Sequence, residues 1–207
     1  PPKSTPSNSS AASDVYKRQE SVDSGKVYLA LVHYPVYNKN KNVIITALTN
    51  LDVHDIARAA KTYGVERFYI VTPSESQRRL LQRILKHWVT GIGGEYNPTR
   101  KEALELVDSA ETLEKLIDRI VQKDGTRPLV VVTSAKKGDK LIFYSTLKKK
   151  FEDGSNLLLV FGTGWGLAEE VLRKADFLLE PIYGIGEYNH LAVRSAVAIV
   201  LDRLFGR

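Results

Sequence analysis

The sequence predicts an α/β fold with a mostly parallel sheet and helices on both faces. Short apolar runs typical of strands alternate along the chain with segments in which apolar residues recur at helical spacing. The apolar run at 157–161 carries no charge, as expected for a strand buried on both faces. Glycine or proline follows several of these runs, which is typical of loops between such elements.

Each predicted element has a local signal. The strands are apolar runs, at 27–34, 67–72, 129–133, 157–161 and 177–181. The helices have one apolar face and caps or glycines at their ends, at 50–63, 74–89, 110–123, 143–151, 167–175 and 190–204. A loop is expected at 91–98. Residues 103–107 fit a strand or a helix, and we favour a strand because Asp108 and Ser109 resemble the cap of the next helix.

Composition narrows the class of protein. The chain has no cysteine, which removes disulfides and thiolate metal sites and fits a cytoplasmic protein. No apolar run approaches the roughly 20 residues of a membrane helix. The net charge of +6 suits an anionic partner such as nucleic acid, or serves solubility alone. We expect residues 1–25 to be a disordered, non-native tail and residues 26–207 to be one domain.

Two glycine-rich loops stand out in the last third of the chain. Residues 162–166 read GTGWG after one predicted strand, and residues 183–189 read YGIGEYN after the next. Carboxyl ends of parallel strands meet at one edge of a sheet, where ligands bind in open α/β folds. Glycine lets a ligand approach backbone amides closely, although glycines can also serve tight turns alone. We therefore predict a ligand site between these loops.

The loops differ from common nucleotide motifs. GTGWG lacks the spacing of the G-x-G-x-x-G dinucleotide fingerprint, and no lysine–serine or lysine–threonine pair supplies a triphosphate loop. Glu180, at the end of the next strand, is able to accept a hydrogen bond from a ribose hydroxyl. These features favour an adenosine-like ligand, and they leave a nicotinamide-dependent oxidoreductase as an alternative.

Three segments carry a resemblance to a known family. Residues 50–65 (NLDVHDIARAAKTYGV), 157–167 (LLLVFGTGWGL) and 180–201 (EPIYGIGEYNHLAVRSAVAIVL) resemble the SPOUT class of S-adenosylmethionine-dependent RNA methyltransferases. The chain is most similar to a bacterial group that occurs alone or fused to tRNA guanine-N1 methyltransferase. The resemblance implies a deep trefoil knot in the carboxyl-terminal third, a homodimer, and methyl transfer to tRNA or rRNA.

The resemblance also implies where S-adenosylmethionine binds. The cofactor would lie among the loops at 133–137, 162–167 and 180–191, with its adenine flanked by apolar side chains. The implied contact residues are Thr133, Ser134, Gly162, Thr163, Gly164, Trp165, Gly166, Leu167, Glu180, Pro181, Ile182, Tyr183, Gly184, Gly186, Tyr188, Asn189, Leu191 and Val193. Trp165 would stack on the cofactor or on a target base, or else pack in the core.

Arg58 is the leading catalytic candidate, because ARAAKTYG at 57–64 is similar to the first motif of the ribose 2′-O-methylating branch. Arginine is too basic to be a good proton acceptor, so anchoring a phosphate or polarising the acceptor is the expected role. The chain lacks that branch's glutamate in the second motif and its asparagine in the third. A base nitrogen is therefore also a possible target, with Asp52, His54, Glu187 or His190 taking the proton.

Basic residues near these motifs are candidates for RNA binding. Arg78, Arg79 and Arg83 lie on one predicted helix, and Lys136 and Lys137 follow a strand end. Phosphate contacts of this kind give salt-dependent affinity, although the helical arginines also fit a solvated surface. The scattered histidines predict no metal site. Because the motif residues depart from the active branch, an RNA-binding or assembly module without turnover is a further alternative.

Overall fold

The computed structural model describes residues 24–135, 140–186 and 188–206. In chain order, the strands are β1 (Val27–Val32), β2 (Val36–Tyr37), β3 (Val43–Ile44), β4 (Arg67–Val71), β5 (Val107–Ala110), β6 (Leu129–Val132), β7 (Leu141–Ile142), β8 (Leu157–Gly162) and β9 (Phe177–Leu179). Seven of them form one sheet in the order β5-β4-β1-β8-β6-β9-β7, and its neighbouring strands all pair in parallel. β2 and β3 form a separate antiparallel hairpin.

Helices connect most of the strands. They are α1 (Asn50–Thr62), α2 (Glu75–Leu85), α3 (Ile92–Tyr96), α4 (Pro98–Leu104), α5 (Leu113–Asp124), α6 (Tyr144–Glu152), α7 (Glu169–Lys174) and α8 (Val193–Phe205). A π-helical segment, Lys86–Thr90, continues α2. Thr49 caps α1, its hydroxyl accepting the N–H of Asp52. No helix in the described part of the chain is long and apolar enough to cross a membrane.

The sheet is covered on both faces, so the core has two layers. Alternate residues of β1 point to opposite sides, with Leu29 and Leu31 in one cluster and Tyr28 and Ala30 in the other. The first cluster includes buried residues of α1, α2, α4, α6 and α8, and the second includes those of α5 and α7. The predicted α/β fold with a parallel sheet and helices on both faces is confirmed. The trefoil knot stays a prediction.

The region between β4 and β5 differs from the predicted order. The strand predicted at 103–107 is wrong, because Ala103 and Leu104 end helix α4 with buried side chains. The strand lies at Val107–Ala110, so Asp108 and Ser109 belong to β5, and Thr112 caps α5 instead. The loop predicted at 91–98 contains helix α3. Both errors have one cause: short amphipathic segments carry too few residues for their period to be read.

Candidate active site

Three loops meet at the carboxyl edge of the sheet. They follow β6, β8 and β9, which are adjacent strands in the sheet. The Asn189 side-chain amide donates to the carbonyl of Ala135 at 3.0 Å, joining the loop after β9 to the loop after β6. Thr133 donates from both its backbone N–H and its hydroxyl to the carbonyl of Val160 on β8. The three predicted loops are therefore neighbours in the structure.

The loop at 162–167 is shaped by contacts with the β2–β3 hairpin. The N–H of Trp165 donates to the carbonyl of Tyr37 at 2.8 Å, and the N–H of Tyr37 donates to the carbonyl of Gly166 at 2.9 Å. Gly164 has φ +60°, and a Cβ there would lie 2.8 Å from the Tyr37 carbonyl oxygen. A Cβ at Gly162 would meet Leu167 at 2.8 Å. These two glycines are thus required by the packing of the chain itself.

The glycines of the loop after β9 are less constrained by backbone conformation and by close neighbours. Gly184 and Gly186 lie outside the left-handed region, and a Cβ on Gly186 would meet no atom within 4 Å. Neither the backbone conformation nor the described neighbours of Gly186 require glycine. Large side chains around it are exposed, among them Ile185, Tyr188 and Leu191. An open backbone next to exposed apolar groups fits the adenosine part of S-adenosylmethionine.

The predicted contact residues divide into exposed and packed groups. Trp165 is 70% exposed, so it does not pack in the core, whereas Leu167 is buried. Thr163 and Ser134 are partly buried, and Pro181 is buried. Ile182 and Val193 pack partly against the core on the α1 and α8 side. Tyr183 is exposed.

Glu180 has a structural partner. Its carboxylate accepts the backbone N–H of Tyr144 at 2.8 Å, at the first residue of α6. A negative charge is favourable at this end of a helix, because unpaired N–H groups and the helix dipole are positive there. One of its oxygens is therefore engaged with α6, at the start of the loop predicted to bind the ribose.

Asp52 joins α1 to α8. It is 7% exposed, and it accepts a hydrogen bond from the Thr49 hydroxyl at 2.6 Å. The Arg194 guanidinium lies 3.5 Å from Asp52 and, through another nitrogen, 3.5 Å from Asp55. The carboxylate is thus held on both sides, and it fixes the first turn of α8 against α1.

His33 was missed by the sequence analysis. It follows β1 at the carboxyl edge and is 1% exposed. Its Nδ1 lies 3.0 Å from the Thr46 hydroxyl, which lies 2.5 Å from the hydroxyl of Thr163 in the glycine loop. Its Nε2 is buried without a partner among the described residues, and burial lowers the pKa of the imidazole. A histidine directly after a buried strand was the available signal.

The other two catalytic candidates, Arg58 and His190, make no hydrogen bond or ion pair with Asp52 among the described residues. Arg58 is exposed on the side of α1 that faces α4, and its guanidinium makes no hydrogen bond or ion pair with the described residues. His190 is exposed in the loop before α8, with its ring edge-to-face on Tyr188 at 5.5 Å. His190 therefore belongs to the loop after β9, whereas the neighbours of Arg58 in the described structure lie on α1 and at α4.

The candidate RNA-binding arginines on α2 have different environments. Arg78 donates to the carbonyl of Thr72 at 2.8 Å, and Arg79 pairs with Glu75 at 2.6 Å. Arg83 forms no ion pair within the described ranges, and it lines a hollow of about 390 Å³ with His87 and Trp88. Lys136, Lys137 and Glu187 lie outside the described residues. Within those residues, no group of three histidine or carboxylate side chains is placed to hold a metal.

An entirely parallel sheet with glycine loops gathered at its carboxyl edge defines an α/β protein with the edge at which open α/β folds bind their ligands. Comparison with known families makes this specific. The chain belongs to the family of S-adenosylmethionine-dependent RNA methyltransferases, whose family model matches residues 26–206. The predicted family, cofactor and enzyme class are thereby confirmed.

Individual relatives cover the same region. An uncharacterised protein of Aquifex aeolicus is 44% identical over 182 residues, which are 87% of this chain and 89% of that protein. A tRNA (guanine-N(1)-)-methyltransferase of Oleidesulfovibrio alaskensis is 47% identical over 180 residues, but the match spans only 42% of its length. The SpoU methyltransferase AviRb from Streptomyces viridochromogenes, solved with the cofactor AdoMet, has the same fold: TM-score 0.55, 12% identity, 89% of this chain and 58% of that one.

Proposed function

We propose that this chain transfers a methyl group from S-adenosylmethionine to tRNA or rRNA at the three-loop site. The observation that carries the proposal is the meeting of the loops after β6, β8 and β9, joined by the contact of Asn189 with Ala135. The open backbone at Gly186 supports it, because no contact among the described residues requires glycine there.

The residues of the chain would hold and orient the two substrates. Bound S-adenosylmethionine supplies an electrophilic methyl group, so the remaining task is to position an acceptor and remove one proton. Backbone groups of residues 162–167 and 184–186 would hold the cofactor, and Ile182, Leu191 and Val193 would flank its adenine. Exposed Trp165 is placed to stack on a base of the RNA.

Among the candidates for proton transfer, we favour His190. It is exposed in the loop after β9 and contacts Tyr188, another predicted cofactor residue. Imidazole is suited to accept a proton near neutral pH. Asp52, held by Thr49 and Arg194, is better suited to position α8. Arg58 would anchor RNA, because its guanidinium has no partner within the described chain.

The relatives suggest which RNA to test first. One of them is named a tRNA methyltransferase, and this chain matches less than half of its length. The activity of that whole protein therefore does not transfer directly, but tRNA is the first substrate to test. The homodimer and the trefoil knot implied by the resemblance, and the cytoplasmic location expected from the lack of cysteine, belong to the same proposal.

Two measurements test the proposal. Calorimetry should show that the protein binds S-adenosylmethionine in preference to NADH; the reverse preference would favour an oxidoreductase. The protein should then transfer labelled methyl groups from S-adenosylmethionine to tRNA or rRNA that was purified from cells lacking the protein. Cofactor and RNA binding without methyl incorporation would contradict turnover and favour an RNA-binding module.

A further inference from the structure

Three polar side chains connect the interior of the protein to the glycine loop after β8. His33 Nδ1 lies 3.0 Å from the Thr46 hydroxyl, which lies 2.5 Å from the Thr163 hydroxyl. The Thr163 hydroxyl is also 3.0 Å from the carbonyl oxygen of Val32, the last residue of β1. We call these three side chains the His33 network. It joins the end of β1, the segment after β3 and the glycine loop.

His33 is too deeply buried to touch a substrate. It is 1% exposed, and backbone hydrogen bonds hold it on both sides. Its N–H donates to the carbonyl of Val71 on β4, and its carbonyl accepts the N–H of Thr46, both at 2.9 Å. Burial lowers the pKa of the imidazole, so the ring is neutral near pH 7. The ring therefore acts on a ligand only through the groups that it contacts.

The hydrogen-bond pattern assigns the proton of the neutral ring to Nδ1. With the proton there, His33 donates to Thr46 and Thr46 donates to Thr163, which leaves the Thr163 hydrogen for the Val32 carbonyl. The Thr46 hydrogen favours Thr163 over the His33 carbonyl, which is 3.4 Å away. With the proton on Nε2, the first two bonds must reverse, and the bond to Val32 is lost. Nε2 has no partner among the described residues in either form, so the additional bond favours Nδ1.

Thr163 begins the turn at the tip of the glycine loop. Its carbonyl accepts the N–H of Gly166 at 3.1 Å, and Gly164 between them has φ +60°. This is the pattern of a four-residue β-turn with a left-handed second residue. The N–H and the hydroxyl of Thr163 both approach the Val32 carbonyl, at 3.2 and 3.0 Å. Fixing this hydroxyl therefore fixes the first corner of the turn.

We propose that His33 is a positioning residue for cofactor binding: through Thr46, its Nδ1–H orients the Thr163 hydroxyl and with it the turn at 163–166. A binding site must hold its contact groups within about 0.5 Å of the productive geometry, which requires supporting side chains that are themselves locked. His33 meets this requirement, because it is buried and its backbone is bonded to β4 and to the segment after β3. The inference rests on the proposed placement of S-adenosylmethionine at residues 162–167.

Cofactor affinity in variants that lack one hydroxyl tests the inference. Thr46→Val and Thr163→Val keep the side-chain shape but interrupt the His33 network. Calorimetry should show that each binds S-adenosylmethionine about tenfold more weakly than the wild type. The double variant should lose no more affinity than either single variant, because the two hydroxyls act as one unit.

Thr72→Val is the matched control. Thr72 is a buried threonine directly after β4, the strand beside β1, and its hydroxyl accepts the N–H of Ser74 at 3.3 Å. Its removal deletes a hydroxyl at the same edge of the sheet but outside the His33 network. Thr72→Val should therefore lose stability in urea and keep wild-type affinity for S-adenosylmethionine.

Two further readouts separate positioning from a general loss of stability. His33→Asn places an amide nitrogen near the position of Nδ1, so its cofactor affinity should stay close to wild type, whereas His33→Leu should match Thr46→Val. NMR of the histidine ring nitrogens should show that His33 carries its proton on Nδ1 in the wild type. The His33 signals are identified by their absence from His33→Asn.

Several outcomes would overturn the inference. These are wild-type affinity in both threonine variants, additive losses in the double variant, an equal loss in Thr72→Val, or a wild-type proton on Nε2. The threonine variants keep the test valid if His33→Leu fails to fold, because Thr46 and Thr163 are only partly buried. A wild type that binds S-adenosylmethionine through the His33 network but does not methylate RNA would contradict the proposed turnover alone.

Discussion

The carboxylate of Glu180 accepts a hydrogen bond from the backbone N–H of Tyr144, 2.8 Å away. This contact connects the start of the loop after β9 to the first turn of α6. It gives the acidic residue that the sequence predicted for a ribose hydroxyl a second role, which is to satisfy an N–H that the helix leaves unpaired. Whether Glu180 also binds the cofactor is a question that two substitutions answer.

Replacing Glu180 separates these roles. Glu180→Ala should lower the free energy of unfolding in urea by about 1–2 kcal/mol, since a helix N–H loses a charged acceptor. Glu180→Gln retains an oxygen acceptor and should lose less. Its affinity for S-adenosylmethionine, measured by calorimetry, should stay close to wild type. A tenfold or greater loss of affinity would instead show that the carboxylate binds the ribose.

Gly186 is the sharpest probe of cofactor binding. Gly186→Val adds a side chain in open space at an ordinary backbone conformation, so the free energy of unfolding should change by less than about 0.5 kcal/mol. Affinity for S-adenosylmethionine should fall at least tenfold, or about 1.4 kcal/mol. Unchanged affinity would remove this loop from the cofactor site.

Gly164→Val provides the contrast. At φ +60°, with the Tyr37 carbonyl oxygen 2.8 Å from the new Cβ, valine should cost about 1–3 kcal/mol of stability. Loss of cofactor binding in this variant would not identify a contact, because the hairpin contact itself is disturbed. Only Gly186→Val tests binding without changing the fold.

Burial of His33 predicts a pH dependence of stability. The pKa of its imidazole lies below the ordinary value of 6.5, because burial outweighs the opposing influence of Asp52 and Thr46. The unfolded chain therefore takes up a proton at higher pH than the folded chain does. The contribution of His33 to the free energy of unfolding should be largest above pH 6.5. It should fall as the pH drops below 6.5, by at most about 1.4 kcal/mol per pH unit.

Urea unfolding of the wild type and His33→Gln at several pH values checks this. The variant should show a weaker dependence, although not a flat one, because burial and Arg100 also lower the pKa of His54. An identical slope in both proteins would mean that His33 titrates normally in the folded state.

The α2 arginines should differ in their effect on RNA. Arg83→Gln should weaken tRNA binding in anisotropy measurements, since Arg83 has no competing ion pair among the described residues. Arg78→Gln should instead cost about 1 kcal/mol of stability, because it loses its bond to the Thr72 carbonyl. Arg79→Gln, with only an exposed pair to Glu75, serves as the control. Equal weakening by all three would indicate a diffuse charge effect.

The sequence predicted five of the seven strands of the sheet because these five are apolar runs, whereas β5 contains Asp108 and was misplaced, and the two-residue β7 was not predicted. The strand predicted at 157–161 and the helix predicted at 50–63 were each placed within one residue of their observed bounds. The glycine loops were placed correctly for the same reason: each follows such a strand. The glycine loops and Glu180 alone predicted an adenosine-like ligand and left a nicotinamide-dependent oxidoreductase open. The family resemblance then identified S-adenosylmethionine as the cofactor.

The remaining features depend on contacts between distant residues. Arg58 was singled out by its motif, but its position beside residues of α4 appears only in three dimensions. Trp88, His54 and Arg100 lie in different elements, and nothing in their spacing predicts that they meet. The hydrogen bond from Tyr37 to Gly166 likewise cannot be predicted from the sequence pattern. The packing role of Gly164 was therefore not predicted.

The contact between the β2–β3 hairpin and the glycine loop also bears on how the protein is made. Tyr37 and Glu169, which are bonded through the tyrosine hydroxyl, lie 132 residues apart in the chain. At synthesis rates of about 5–20 residues per second, the hairpin waits on the order of ten seconds for its partner to be synthesised. The hairpin therefore stays without this partner until residue 169 has been synthesised, and a nascent chain that stops earlier would expose an unsatisfied hairpin to chaperones and proteases.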